Sequence, residues 1–144
     1  MISIKKIDLS QAILTNLVKI QQSEKLTDIK IITGEDKTVF SFHKLVLALR
    51  STYFLNYFEK YEFQDQSPAE IYCKQIETET FRYLHNFFYT GMCDVNIHNG
   101  VKLMKQCYML QIVDLKEQIA DYLSQNLTDD NVAGFLNASL RYKE

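Results

Sequence analysis

The feature that most constrains this chain is a pair of short alternating runs that feed straight into an apolar helix. Asp28-Ile29-Lys30-Ile31-Ile32 and Thr38-Val39-Phe40-Ser41-Phe42 alternate in polarity, and Thr33-Gly34-Glu35-Asp36-Lys37 between them supplies turn residues. Two such runs around a Gly-containing turn predict a β-hairpin. His43 to Arg50 follows with no linker and is rich in the good helix formers Leu and Ala. The fold therefore has to combine a small sheet with helices.

Apolar spacing predicts the other elements. In residues 9–24, Leu9, Ile13, Leu14, Leu17, Val18 and Ile20 recur at helical spacings, with Asp8 or Ser10 as cap. Leu14 and Val18 widen the stripe beyond the Ile13-Leu17-Ile20 line, giving more apolar face than one small domain needs. An exposed apolar face of that width predicts a homodimer, with Leu9, Ile13, Leu14, Leu17 and Val18 at its interface. Ile2-Ser3-Ile4 alternates like a short strand. After the hairpin, Val46, Leu47 and Leu49 are expected to pack inward, and Ser51 to stop that helix and cap the next, residues 52–58. Residues 59–68 read as a polar loop with Phe63 as its one large apolar residue, and residues 69–76 as a third strand. Thr78 is read as the cap of a helix through Tyr89 that turns Phe81, Leu84, Phe87 and Phe88 inward, with Gly91 as a left-handed C-cap. Helices over 101–110 (Leu103, Met104, Cys107 and Tyr108 inward) and 115–126 follow, joined by a turn at Val113-Asp114. A last amphipathic segment carries Val132, Phe135, Leu136 and Leu140. The strands do not alternate with long helices, which disfavours a doubly wound sheet. The expected class is α+β, mostly helical with a small three-stranded sheet.

Composition excludes several functions. With 16 basic and 18 acidic residues and a net charge of −2, there is no basic excess for nucleic acid. No 18-residue apolar run suits a membrane span, and residues 1–27 lack the apolar stretch of a secretory leader. Cys73, Cys93 and Cys107 are odd in number and form no C-x-x-C, so a disulfide framework is not expected and an intracellular setting is. His43, His85 and His98 match no zinc spacing with these cysteines, and there is no Gly-rich phosphate loop. We therefore expect no catalytic residue, no cofactor and no metal. Cys93, in a loop, is the one candidate for a reactive thiol, because Cys73 and Cys107 fall on faces expected to be buried.

Three separated motifs carry a resemblance. Residues 28–32 followed by Phe40-Ser41-Phe42-His43-Lys44-Leu45-Val46-Leu47-Ala48-Leu49-Arg50-Ser51-Thr52-Tyr53-Phe54 resemble the BTB/POZ signature D-V-x-L-x-V, turn, F-x-A-H-[KR]-x-V-L-A-x-x-S-x-Y-F. Phe81 to Gly91 resembles the family's F-x-x-x-x-x-[FY]-[IL]-Y-T-G, and residues 101–127 its last helical pair. Phe42, Thr52 and Thr27 stand where the family often has Ala, Pro and Cys. The resemblance implies a BTB/POZ domain over residues 1–127 and the start of a following helical, BACK-like region over 128–144, as the N-terminal part of a longer kelch-like protein. It implies that the first helix lies across a two-fold axis and that Asp28 and Lys44 form a charged pair near the dimer groove; read physically, His43 is expected to bridge the hairpin to the next helix by hydrogen bonds from its ring.

Cullin-binding members carry an apolar-x-Glu triplet after the Tyr-Phe helix. Phe63-Gln64-Asp65 resembles it, with Asp for Glu, and Tyr57-Phe58-Glu59 is a second match. The resemblance thus implies a homodimeric adaptor for a cullin-3 ubiquitin ligase, with Tyr57, Tyr61, Phe63 and Asp65 in contact with cullin, and residues 59–65 together with Phe87 to Thr90 as one side of the groove. Substrate proteins would be held by regions outside this chain. The alternative is a dimerisation module of a transcriptional regulator or scaffold that binds no cullin. Thirteen Ile, and 13 Lys among 16 basic residues, point to an AT-rich genome such as that of a large DNA virus or a protist.

Overall fold

Ile29, Ile31 and Thr33 alternate inward along β1 (Ile29–Thr33), and Phe40 and Phe42 do so along β2 (Thr38–Phe42). The register pairs Ile29 with Phe42 and Ile31 with Phe40, so the inward face of the hairpin is apolar up to its turn end, where Thr33 pairs with Thr38. These strands come from a computed structural model that describes residues 2–61 and 69–129. Gly34 turns the chain with φ +69°, a conformation costly for residues with a Cβ. Asp36 then accepts from the hydroxyls of Thr38 and Thr78, both at 2.8 Å, and Thr33 Oγ1 lies 2.8 Å from Thr78 Oγ1. The hairpin turn is thereby tied to the start of a helix more than 40 residues away. β3 (Glu70–Cys73) completes the sheet in the order β2-β1-β3 and runs parallel to β1, pairing Ile71 with Ile31.

Among the described residues six helices accompany the sheet: α1 (Ser10–Ser23), α2 (Lys44–Arg50), α3 (Thr52–Tyr61), α4 (Thr78–Thr90), α5 (Gly100–Met109) and α6 (Val113–Asn126). α4 is the central one. Its Phe81, Leu84, Phe87 and Phe88 are buried, as the sequence spacing predicts, and Tyr89 is buried with them. Phe42 of β2, fully buried, meets Phe81, His85, Phe88 and Tyr89 at ring centroid distances of 5.9, 4.9, 5.5 and 5.7 Å. Gly91 closes α4 with φ +73°, and Arg50 donates to the Phe88 carbonyl at 3.2 Å. α5 and α6 approach so closely that a Cβ on Gly100 would lie 2.8 Å from Leu123 Cδ2. No helix among the described residues is long and apolar enough to cross a membrane.

Several expectations are corrected. Ile2-Ser3-Ile4 forms no strand; both isoleucines are exposed and have no partner strand among the described residues. α3 runs three residues past Phe58, because Glu59 and Lys60 are good helix formers and the Tyr61 ring tilts against Tyr57 at 5.0 Å. Val113 and Asp114 are the first turn of α6, where the Asp114 carboxylate accepts the Leu115 N–H at 2.8 Å. Ser10 lies inside α1, and Asp8 accepts its N–H at 3.0 Å. Glu77 precedes α4, so Thr78 is its first residue, with its hydroxyl turned to the hairpin and not to α4. Leu49 and Tyr108, expected inside, are 72% and 70% exposed. The segment with Val132 to Leu140 lies outside the described residues.

Candidate functional site

α1 contributes no buried residue and packs on α4. Leu17, Val18 and Ile20 are half-buried, and Leu17 rests on the core. Leu9, Ile13 and Leu14 face away and are 74%, 65% and 40% exposed. The wide stripe thus splits into an inner edge held by the body and an outer edge that no described residue covers. α2 adds a second apolar strip. Val46 and Leu47 are buried, whereas Leu45 and Leu49, four residues apart on one face, are exposed. Sequence reading missed Leu45 and misplaced Leu49, because a seven-residue helix that is apolar on every side does not reveal its inner face.

The signature residues join these elements. The Asp28 carboxylate accepts the Lys44 N–H at 2.7 Å and so caps α2 by reaching across from the residue before β1. Lys44 Nζ lies 5.9 Å from the centre of the Phe58 ring. His43 Nε2 lies 2.6 Å from the Lys25 carbonyl and must be its donor. Nδ1 of the same ring then accepts from the Tyr89 hydroxyl at 2.7 Å, and that hydroxyl accepts the His43 N–H at 3.1 Å. His43 therefore bridges to α4 and to the turn after α1, not to the next helix as expected. Burial pushes the Tyr89 phenol up to about 12, which keeps it a proton donor.

A second surface starts at α3. Tyr53, Tyr57 and Tyr61 stand one turn apart, with the first two rings stacked at 6.4 Å and the last two 5.0 Å apart. Tyr53 and Leu55 are about two-fifths exposed, at 38% and 39%, while Tyr57 and Tyr61 are half-buried. Burial, then Tyr61 and Tyr53, raise the Tyr57 pKa. At the corner between α5 and α6, Tyr108, Gln111, Val113 and Lys116 line a cavity of about 380 Å³, and Lys116 Nζ lies 5.2 Å from the centre of the Tyr108 ring. Ser51 Oγ donates to the Leu110 carbonyl at 2.5 Å and accepts the Phe54 N–H at 3.2 Å, so it caps α3 while holding the corner. Phe63 and Asp65 lie outside the described residues. Phe87, Phe88 and Tyr89 are buried and form no groove wall, which corrects that part of the expectation.

The thiols do not favour nucleophilic chemistry. Burial pushes Cys93 up to about 11 and Cys107 up to about 12, and it also raises Cys73. Among the described residues no group of three or more His, Cys, Asp or Glu could hold a metal ion.

His85 sits on α4 close to α1, its carbonyl 3.4 Å from Gln21 Nε2 and its ring 5.3 Å from Phe40. Burial lowers its pKa below 6.5, against Glu24, which raises it, and with Arg82, which lowers it. The fold thus resists a proton that the unfolded chain takes up below pH 6.5, so stability falls as pH drops through that value. The urea midpoint should decline between pH 7.5 and 5, and this part of the decline should vanish in His85→Phe; an equal decline in the variant would show that other groups carry it.

A family model of the BTB/POZ domain matches residues 17–127. The chain belongs to the BTB/POZ family. Human Kelch-like protein 38 is 31% identical over 132 residues, 92% of this chain and 22% of that protein. Kelch repeat and BTB domain-containing protein 8 of Xenopus tropicalis is 29% identical over 131 residues, 91% of this chain and 21% of that protein. The chain therefore spans about a fifth of the length of the curated relatives it matches. The solved BTB domain of zebrafish PATZ1 superposes with a TM-score of 0.72 at 24% identity, over 86% of this chain and all of that one, and shows the fold. As a BTB/POZ domain the chain is a protein–protein interaction module.

Proposed function

We propose that this BTB/POZ domain is a homodimeric adaptor that recruits a cullin-3 ubiquitin ligase scaffold inside the cell, with substrate proteins held by regions beyond residues 1–144. The observation that carries the reading is the pair of separate uncovered apolar surfaces. The outer edge of α1 with Leu45 and Leu49 of α2 suits a second copy of the chain. The tyrosine row of α3 and the Tyr108–Val113 corner suit a different partner. A dimerisation module alone accounts for the first surface and leaves the second without a use. Residues 128–144 begin a BACK-like helical region in this reading, and Phe63 and Asp65 would extend the cullin surface from the segment after α3.

Tyr53 and Tyr108 are the anchors to test, because both are exposed enough for truncation to spare the core. Loss of a well-buried interface aromatic costs about 2 kcal/mol or more, roughly thirtyfold in affinity. Tyr108→Ala and Tyr53→Ala should each weaken binding of an N-terminal cullin-3 fragment by that order while the dimer stays folded. Absence of binding by the wild-type domain at tens of micromolar would leave the cullin-free dimerisation module as the better reading.

A further inference from the structure

The two halves of the proposed cullin surface belong to segments far apart in the chain, so something has to fix their relative position. Two consecutive hydrogen bonds join them. Ser51 Oγ bonds the Leu110 carbonyl, and Thr52 N–H donates to the Gln111 carbonyl at 3.3 Å. Thr52 is the first residue of α3, and the first N–H groups of a helix have no partner within it. Here one of them is spent on the α5–α6 corner. Gln111 is held with φ +54°, an uncommon and strained conformation for a residue with a side chain. It also lines the corner cavity beside Tyr108 and Val113.

We propose that the Thr52–Gln111 bond is a positioning brace, which holds the corner residues Tyr108 and Val113 in register with the tyrosine row of α3 for docking. The proposal rests on the cullin-adaptor reading for its partner, but not for its geometry. Thr52 stands where the BTB/POZ signature often has Pro, a residue with no N–H. This chain therefore has a tether that a proline-bearing version of the same turn lacks.

Thr52→Pro isolates the brace. Proline is well tolerated at the first position of a helix. Ser51, at φ −128° and ψ 115°, already has the extended conformation that a residue before proline prefers. Stability should therefore hold or rise. The lost bond and the ring carbon facing the Gln111 carbonyl should free the corner. The expected result is about fivefold weaker binding of the cullin-3 fragment with no fall in melting temperature, the scale of one ordinary hydrogen bond. Thr52→Ala, which keeps the N–H, should restore affinity. Amide hydrogen exchange gives a readout that needs no partner: the Leu110 and Ile112 N–H groups, bonded to Gln106 and Cys107, should exchange faster in Thr52→Pro. Should proline lower the melting temperature, an ester in place of the Thr52 amide removes the same N–H without the ring. Unchanged exchange at Leu110 and Ile112 overturns the brace whether or not cullin binds. Faster exchange with unchanged affinity overturns its role in docking. A wild-type chain that binds no cullin overturns the adaptor reading alone, and exchange then decides the brace.

Discussion

Ile13→Lys should turn a dimer into a monomer without loosening the fold. Sedimentation should move from a mass near twice 16.9 kDa to a mass near 16.9 kDa at micromolar concentration. Ile13 is 65% exposed in the single chain, so a lysine there meets water and costs the monomer little. In a two-fold dimer the same face of α1 meets its own copy, and each substitution enters twice. Two ammonium groups would then lose their water near one axis, a cost of several kcal/mol unless each finds a partner. A dimer that survives Ile13→Lys and Leu14→Lys together would place the interface elsewhere.

Phe42→Ala should remove about 3–5 kcal/mol, a large part of the 5–15 kcal/mol of a typical domain. It replaces Phe by the residue the family often has there, and the reason it fails is local. Phe42 is fully buried and fills the space bounded by Phe81, His85, Phe88 and Tyr89. Those rings are placed for an aromatic neighbour, and removing it leaves a cavity that they cannot close without leaving their own contacts. Urea denaturation is the check. A change in midpoint equivalent to less than about 1 kcal/mol would mean that the ring cluster repacks freely.

Much of this architecture was legible because its signals are periodic. The alternation of Ile29, Ile31, Phe40 and Phe42 and the helical spacing of Phe81, Leu84 and Phe88 each select one face, and those faces are the buried ones. Legibility failed where one element is apolar all round. In α2, Leu45, Val46, Leu47 and Leu49 leave no polar face to mark the outside; Val46 and Leu47 point in as expected, and only packing shows that Leu49 points out with Leu45. The candidate site was less legible for a related reason. Tyr108 follows the spacing of core residues such as Leu103 and Cys107 but stands at the end of α5, where the chain turns away and leaves it uncovered. The bonds from Ser51 and Thr52 to Leu110 and Gln111 join residues 59 positions apart, and no local pattern announces them.

The mixed pairing of β1 sets an order of assembly. Ile31 finds Phe40 nine residues away but Ile71 forty residues away, with α2 and α3 in the intervening chain. A hairpin of the first kind closes within about 1–10 μs. Closing the longer loop costs about 1 kcal/mol more in chain entropy, and nothing rewards it until both helices have formed and docked. β1 and β2 should therefore be joined early, leaving one edge of β1 unpaired until β3 arrives. A growing chain that has delivered residue 50 but not residue 73 displays that edge, so the interval before β3 emerges is when the chain is most open to pairing with the wrong strand.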